Sequence, residues 1–474
     1  MKAARLSLVA FALTGAVAGA GSLVAAAAPA APSPWRAGVA TRKITPPGPI
    51  WLAGYANRAA PSTGVALDLF AKALALDDGR GGRVVLVTFD LIRIPQALRT
   101  WVEQEAGRLH QLKPSEVLLN ASHTHSGPEV APDRMVLERV FRRAAKKEDV
   151  EAVQAYETFL RRTVLELIGE SRQALAPARL DFSQARAGFA MNRRRPEAKG
   201  GISNNPNPAG PVDHDVPVLK VSGADGRLRA LVFGYACHNT TLSGSRVSGD
   251  YAGHAQQDLE AAYPGATALF VTGCGGDQNP YPRGNMVPGQ PPEELVRQHG
   301  RALANAVHTA LAARLRPVQA PLRTAYDHAL LHYEPMSRQE LAAFSEAEYT
   351  PDVVARARDL LRALERGERP APLRCPVQVL QFGRDLTLVG IGGEVVVDYS
   401  LRLKRELQGE AAVWVAGYCN DVFGYLGSRR VIAEGGYEGF SANVRILNHP
   451  GRFTADAEDT VVAKVHALRP STAP

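Results

Sequence analysis

Four cysteines in 474 residues are too few to staple a chain of this length, so its fold must rest on a hydrophobic core. Cys237, Cys274, Cys375 and Cys419 leave room for one or two disulfides, and spacing alone pairs none of them. Beyond the N-terminal leader, no apolar run is long enough to cross a bilayer. There is no internal repeat and no linker long enough to separate two domains. The net charge of +8 is spread along the chain, with short clusters at Lys146-Lys147 and Arg193-Arg194-Arg195. Nucleic acid binding needs a basic face interleaved with aromatic platforms, and none is present, so that class is excluded. Attraction to anionic membranes, envelope polymers or acidic substrates stays open. No oxygen cage for calcium or magnesium is recognisable. Asp90 and Asp250 stand singly and read as caps, Asp250 at the start of a helix over 251–262.

What is present is the composition of an ordinary globular protein, 45% hydrophobic and 22% charged, with chain enough for a large core. At the N-terminus, Lys2 and Arg5 precede an apolar, alanine-rich run from Leu6 to about Val24, followed by small residues through Ala31. That pattern predicts a signal peptide and flexible start over 1–31, hence a periplasmic or secreted protein, with a single catalytic domain over 32–474.

Periodicity predicts buried strands over 84–89, 216–221, 228–236, 266–271 and 386–391. Helices are expected over 96–112, 151–175, 293–315, 337–346, 352–368 and 456–468, and a loop over 200–210. The fold class is mixed α/β, central sheets flanked by helices, and the strands that are apolar throughout suit sheets covered on both faces. Strand order is not readable.

The densest chemistry is Asn120-Ala121-Ser122-His123-Thr124-His125-Ser126-Gly127-Pro128, after the apolar run Val117–Leu119. Side chains two apart on extended backbone point the same way, so His123 and His125 can share one site. Neutral imidazole is the commonest metal ligand, although an isolated His-x-His is more often a pair of hydrogen-bonded loop histidines. Two other strand ends deliver His238 and Glu394. Two histidines and a carboxylate form a standard hydrolytic zinc inventory, on strand-end loops.

With these stretches the chain resembles the neutral, non-lysosomal ceramidase family over its N-terminal catalytic domain. The matching elements run in family order over nearly the whole sequence. They include Gly38-Val39-Ala40-Thr41-Arg42-Lys43-Ile44-Thr45-Pro46-Pro47, Gly54-Tyr55-Ala56, Phe89-Asp90-Leu91, the His-x-His segment and Asn192-Arg193. Cys237-His238-Asn239-Thr240, Ser248-Gly249-Asp250-Tyr251, Gly276-Asp277, Gly393-Glu394, Gly424-Tyr425 and Gly436-Tyr437-Glu438-Gly439 continue the series. The resemblance implies that His123, His238, Glu394 and Tyr425 hold one zinc ion, and that metal-activated water cleaves an N-acyl amide of a ceramide-like lipid. The family's metal tyrosine and its second active-site tyrosine stand twelve positions apart, as Tyr425 and Tyr437 do here. His125 then serves proton transfer or orients a ligand, while Tyr437 and Arg193 donate to the oxyanion. For Arg193 the competing reading is a solvated charge run.

Two departures stand out. Ceramidases carry a serine in a Gly-Asp-Val-Ser-Pro-Asn turn, where this chain has Gly276-Asp277-Gln278-Asn279-Pro280. Asn279 cannot act as a hydroxyl nucleophile, though its amide can orient substrate or water. Cys274 nearby reads as a small buried thiol rather than a replacement nucleophile. The second departure is that no counterpart of the family's C-terminal immunoglobulin-like domain is expected. The alternatives left open are a metal hydrolase acting on another bond, such as a sugar or envelope ester or an N-acetyl group, and a binding protein that keeps the pocket without turnover.

Overall fold

In the computed structural model, the described residues are 33–55, 57–131, 146–343, 351–409, 411–445 and 449–469. The expected leader, Ala56, the end of the helix expected to reach 346 and the tail from 470 lie outside them. Residues 34–474 form one compact unit.

Among the described residues, thirteen strands, one of them only two residues long, build two main sheets. The larger contains β1 (Arg36–Lys43), β2 (Phe70–Asp77), β3 (Arg83–Phe89), β4 (Val117–Ala121), β5 (Ala176–Arg186), β6 (Asp215–Gly223), β7 (Leu228–Tyr235) and β8 (Thr267–Thr272). Their order is β8-β7-β6-β5-β1-β2-β3-β4, and a two-residue strand, Arg316–Pro317, also pairs with β5. The smaller sheet is β9 (Leu322–Leu331), β10 (Leu373–Phe382), β11 (Leu386–Ile391) and β12 (Ala412–Ala416), in that order.

Most neighbours are antiparallel, but three pairs are parallel: β3 with β4, β7 with β8, and β11 with β12. A parallel pair needs a crossover, and each has a helix in its connection. These are α1 (Gln96–His110), α3 (Asp250–Ala262) and α5 (Val397–Glu406); α2 (Lys147–Gln173), α4 (Pro292–Ala312) and α6 (Ala457–Leu468) complete the cover. In each β–α–β unit both strands run the same way, so the loops after them gather at one end.

Alternation within the strands explains the layering. Val85, Val87 and Phe89 face α1 and α2, in a core with Leu98, Val102, Leu160 and Leu167. Val84 and Leu86 point the opposite way, into a core that joins Leu118 of the larger sheet to Leu380, Leu388 and Trp414 of the smaller. The period-two pattern thus sends one strand into two cores. α3 and α4 cover Phe233 and Phe270, while α5 and α6 cover Val379, Val389 and Val415. The result is helices, sheet, sheet, helices.

The expected strands and helices are found with ends shifted by a few residues. The 200–210 loop is interrupted by Ile202–Asn204, which pairs with Arg194–Pro196, and the turn after β8 contains Gln278–Pro280 paired with Ala190–Asn192. Asp250 is the first residue of α3 rather than its cap. At φ 54 its carboxylate accepts backbone N–H from Thr241, Leu242 and Tyr251, tying the loop after His238 to the helix. No disulfide forms: all four cysteines are free and buried.

Leu118 is fully buried between the sheets. Leu118→Ala should lower the unfolding free energy by about 2–5 kcal/mol, whereas Leu109→Ala, on an exposed face of α1, should stay within about 0.5 kcal/mol. Urea midpoints of the two variants check this.

Candidate metal centre

The carboxyl ends of the parallel strands meet, as ligand sites in open α/β sheets do. After β3 the chain passes Ile92; after β4 it delivers His123 and His125; after β7, His238; after β8, Gly275 to Asn279; after β11, Glu394; and after β12, Tyr418 and Tyr425. Single bridges stitch these loops together: Asn120 to Cys419, Thr124 to Asn239, and Gly273 to Ala416.

His123 and His125 do not converge by strand pleat, since β4 ends at Ala121. His123 instead adopts a left-handed backbone, φ 62, held by its N–H on the Leu91 carbonyl at 2.8 Å. A non-glycine residue in that region is uncommon and must be over-determined by its surroundings. The two Nε2 atoms end 3.1 Å apart. Glu394 and Tyr425 are direct partners in a two-residue parallel ladder. Gly393, at φ 85, makes room before Glu394, because a Cβ there would sit 2.7 Å from the Phe423 ring.

Hydrogen bonding fixes the tautomers. Nδ1 of His123 lies 2.7 Å from the Ile92 carbonyl, and Nδ1 of His238 lies 2.7 Å from the Gly275 carbonyl. A carbonyl only accepts, so both Nδ1 atoms carry the proton and both neutral rings present an Nε2 lone pair. Those lone pairs face Glu394 Oε2 at 3.2 and 3.3 Å. Burial, followed by the Arg193 charge, pushes the His238 pKa down to about 3. Glu394 Oε2 is buried and receives no hydrogen bond from the described residues. Acceptors facing acceptors in a buried site favour a positive charge between them, a metal ion or a proton.

The spacing suits zinc. Donor atoms on a tetrahedron with bonds of about 2.0–2.1 Å stand roughly 3.3–3.4 Å apart, and the Tyr425 hydroxyl joins the group at 3.4 Å from His238 Nε2. A second possible ligand set is the histidine trio His123, His125 and His238, whose ring nitrogens lie within 4.8 Å of one another. The trio differs internally, however: His123 and His238 are anchored through Nδ1, as ligand histidines usually are, whereas the buried Nδ1 of His125 has no partner among the described residues. Burial, then His123 and His238, holds the His125 pKa well below its usual value.

Arg193 is no solvated charge run. Its buried guanidinium donates to Glu438 at 2.7 Å, Gly276 O at 2.8 Å, the Tyr425 hydroxyl at 3.0 Å and Asn279 Oδ1 at 3.2 Å. Four of its five N–H bonds are thereby engaged, so it holds the walls of the site together. Glu438 also accepts from Arg194 at 2.6 Å, one carboxylate neutralising two buried cations. Asn279 Oδ1 accepts from Thr240 as well, which leaves its NH2 unpaired among the described residues. The half-buried Tyr437 packs against Tyr425 with centroids 5.4 Å apart, and Arg193 lies 5.8 Å from its ring. All eight residues singled out from the sequence therefore line one site.

Sequence reasoning missed others. Tyr418 lies against His123 at 4.6 Å, with a buried hydroxyl that has no partner among the described residues. Tyr55 lies against His125 at 4.9 Å, and Gly54 admits that ring, since a Cβ would fall 2.5 Å from it. Gly54-Tyr55 and Glu438 stand inside motifs already noted, but nothing marks Tyr418. Cys274 is buried with its thiol pKa driven up by burial, the opposite of a nucleophile.

Comparison with known proteins gives this architecture a class. The family model of the neutral/alkaline non-lysosomal ceramidase N-terminal domain matches residues 35–288, and the chain belongs to that family. A curated relative, neutral ceramidase B of Dictyostelium discoideum, is 25% identical over 255 residues, covering 49% of this chain and 33% of the relative. The matched segment thus spans about a third of that relative's length. Neutral ceramidase from Pseudomonas aeruginosa superposes with a TM-score of 0.69 at 20% identity, over 93% of this chain and 76% of that one. A structure described as ceramidase complexed with C2 gives 0.68 at 18% identity, over 93% and 77%. These likenesses establish the shared fold.

Glu438→Gln should leave buried Arg193 without a counter-charge and Arg194 with Glu434 alone, destabilising the chain by about 3–5 kcal/mol. Thermal melts beside an exposed-pair control, Glu105→Gln, check this.

Proposed function

We propose that this chain is an exported, zinc-dependent amidohydrolase that cleaves the N-acyl bond of a ceramide-like lipid or related amide. The observation that carries the reading is the acceptor-only cluster of His123, His238 and Glu394, with Tyr425 beside it, at the spacing of a tetrahedral cation site. Family membership supports the amide as the bond attacked. The basic, apolar leader over 1–31 supports export to the periplasm or medium, and the rest of the chain serves as one catalytic domain.

His123, His238, Glu394 and Tyr425 would hold the zinc. Zinc supplies Lewis acidity, polarising a carbonyl and lowering the pKa of a bound water towards about 7.

The chain's own groups supply the rest. His125 sits 3.1 Å from His123, and with a depressed pKa and an unpaired Nδ1 it is neutral and able to accept the proton water loses on attacking the acyl carbon. The same ring returns that proton to the departing nitrogen as the C–N bond breaks, giving a free acid and an amine. Tyr437 donates to the oxyanion of the tetrahedral species, a contribution of about 3–4 kcal/mol for a well-placed donor. Arg193 fixes Tyr425 and Asn279 in place, and the free Asn279 NH2 orients the substrate. No serine hydroxyl is needed on this route.

His123→Ala and His238→Ala should each abolish zinc retention and turnover while leaving the fold. His125→Ala should keep the metal but lose about 10²–10⁴ in kcat. Metal analysis by mass spectrometry, with hydrolysis of a fluorescent N-acylsphingosine, tests all three. Full zinc occupancy in either of the first two variants would defeat the ligand assignment.

A further inference from the structure

Beside Arg193 and Asn279 opens a small cleft of about 40 Å³ whose lining also includes Asn204, Asn205, Arg283 and Met286. It adjoins the metal centre, because Arg193 and Asn279 are hydrogen-bonded to each other and Arg193 to Tyr425.

The charge balance of this cleft is one-sided. Among the described residues, two guanidiniums line it and no carboxylate does. Arg193 is neutralised by Glu438 at 2.7 Å. Arg283, partly buried, has no hydrogen bond or ion pair from its side chain to any described residue. Burial lowers its pKa, and the Arg193 charge lowers it further. The acid that acts on it, Asp250, is fully buried and already accepts from three backbone N–H groups. A half-desolvated guanidinium without a counter-ion is costly, and a planar fork of donors matches an oxyanion. The carboxamides of Asn204, Asn205 and Asn279 add neutral donors, and the exposed Tyr281 and Met286 form an apolar lip.

We propose that this cleft is a subsite for an oxyanion carried by the substrate, with Arg283 its principal partner, so that the preferred amides are anionic amphiphiles such as N-acyl amino acids. The proposal rests on the amidohydrolase reading for the bond cleaved, but the binding preference stands apart from it. The acyl chain runs along Tyr281 and Met286, and the oxyanion reaches Arg283 while the amide lies towards His125.

The test compares three ligands sharing one acyl chain: N-lauroylethanolamine, neutral; N-lauroylglycine, a carboxylate; and N-lauroyl-O-phosphoethanolamine, a phosphate. Calorimetric Kd values are measured on the full chain as purified and on Arg283→Gln, so that any anion affinity of the metal site is common to both. At least one anion should bind the parent about 10- to 100-fold more tightly than the neutral ligand. That ratio should fall close to one in Arg283→Gln and recover in part in Arg283→Lys; the anion that gains more identifies the oxyanion. Equal Kd values for all three ligands on the parent chain, or an anion preference that survives in Arg283→Gln, overturn the proposal. Should Arg283→Gln not fold, the parent and Arg283→Lys decide, since an arginine-specific fork predicts a smaller ratio for lysine. Turnover of the same compounds is read separately: anion preference without hydrolysis sinks the amidohydrolase reading alone, and hydrolysis without preference sinks the subsite alone.

Discussion

Two imidazole lone pairs and a carboxylate oxygen are held face to face with no proton available between them, and much of the architecture exists to maintain that opposition. Left alone, three such acceptors would turn away to find donors. They cannot, because each is pinned from behind. The Ile92 and Gly275 carbonyls fix the two rings, and the ladder between Glu394 and Tyr425 fixes the carboxylate. Those carbonyls belong to loops after β3 and β8, so the tautomers of the site are set by the ends of strands other than those that carry the histidines. The fold thereby concentrates acceptors at one point, where a positive charge is favoured.

Around that point the walls are ionic and dry. Glu438 neutralises Arg193 and Arg194 together, and Arg193 reaches the Tyr425 hydroxyl, the Gly276 carbonyl and Asn279. A buried ion triad is weak as a source of stability but strong as a device for fixing geometry, because breaking it strands a charge. Together with Arg193's bonds to Gly276 and Asn279, it links three separate chain segments. Arg283 is the exception, a guanidinium on the same cleft without that satisfaction, and its isolation is informative because the neighbouring arginines are so fully paired.

Much of the fold was legible in the sequence because strands buried on both faces are rich in apolar residues along their length, as Arg83–Phe89 and Leu386–Ile391 are. Strands carrying polar or charged residues, such as Ala176–Arg186 and Leu322–Leu331, lack that signature and went unread. Strand order was unreadable for a simple reason: pairing between β5 and β1 joins residues well over a hundred positions apart. At the site, motif order marked His123, His125, His238, Glu394, Tyr425 and Tyr437, but the pleat argument for the first two gave the correct neighbours through the wrong geometry, a left-handed residue rather than a strand. Tyr418 was invisible, since its place against His123 depends on the second sheet and on no local pattern. The triple arginine looked like solvated charge, and only burial shows that Arg193 and Arg194 are interior while Arg195 is exposed.

The four unpaired cysteines carry a further consequence. With no covalent cross-link, the native state owes nothing to an oxidising environment, and a reductant leaves its skeleton unchanged. Three of the thiols sit on the loops that build the site: Cys237 precedes His238, Cys274 precedes Gly275, and Cys419 bridges to Asn120 near the His-x-His loop. All are sealed from solvent, so an alkylating reagent reaches them only when the structure breathes. The protein thus carries native chemical clocks for the loosening of its own catalytic end.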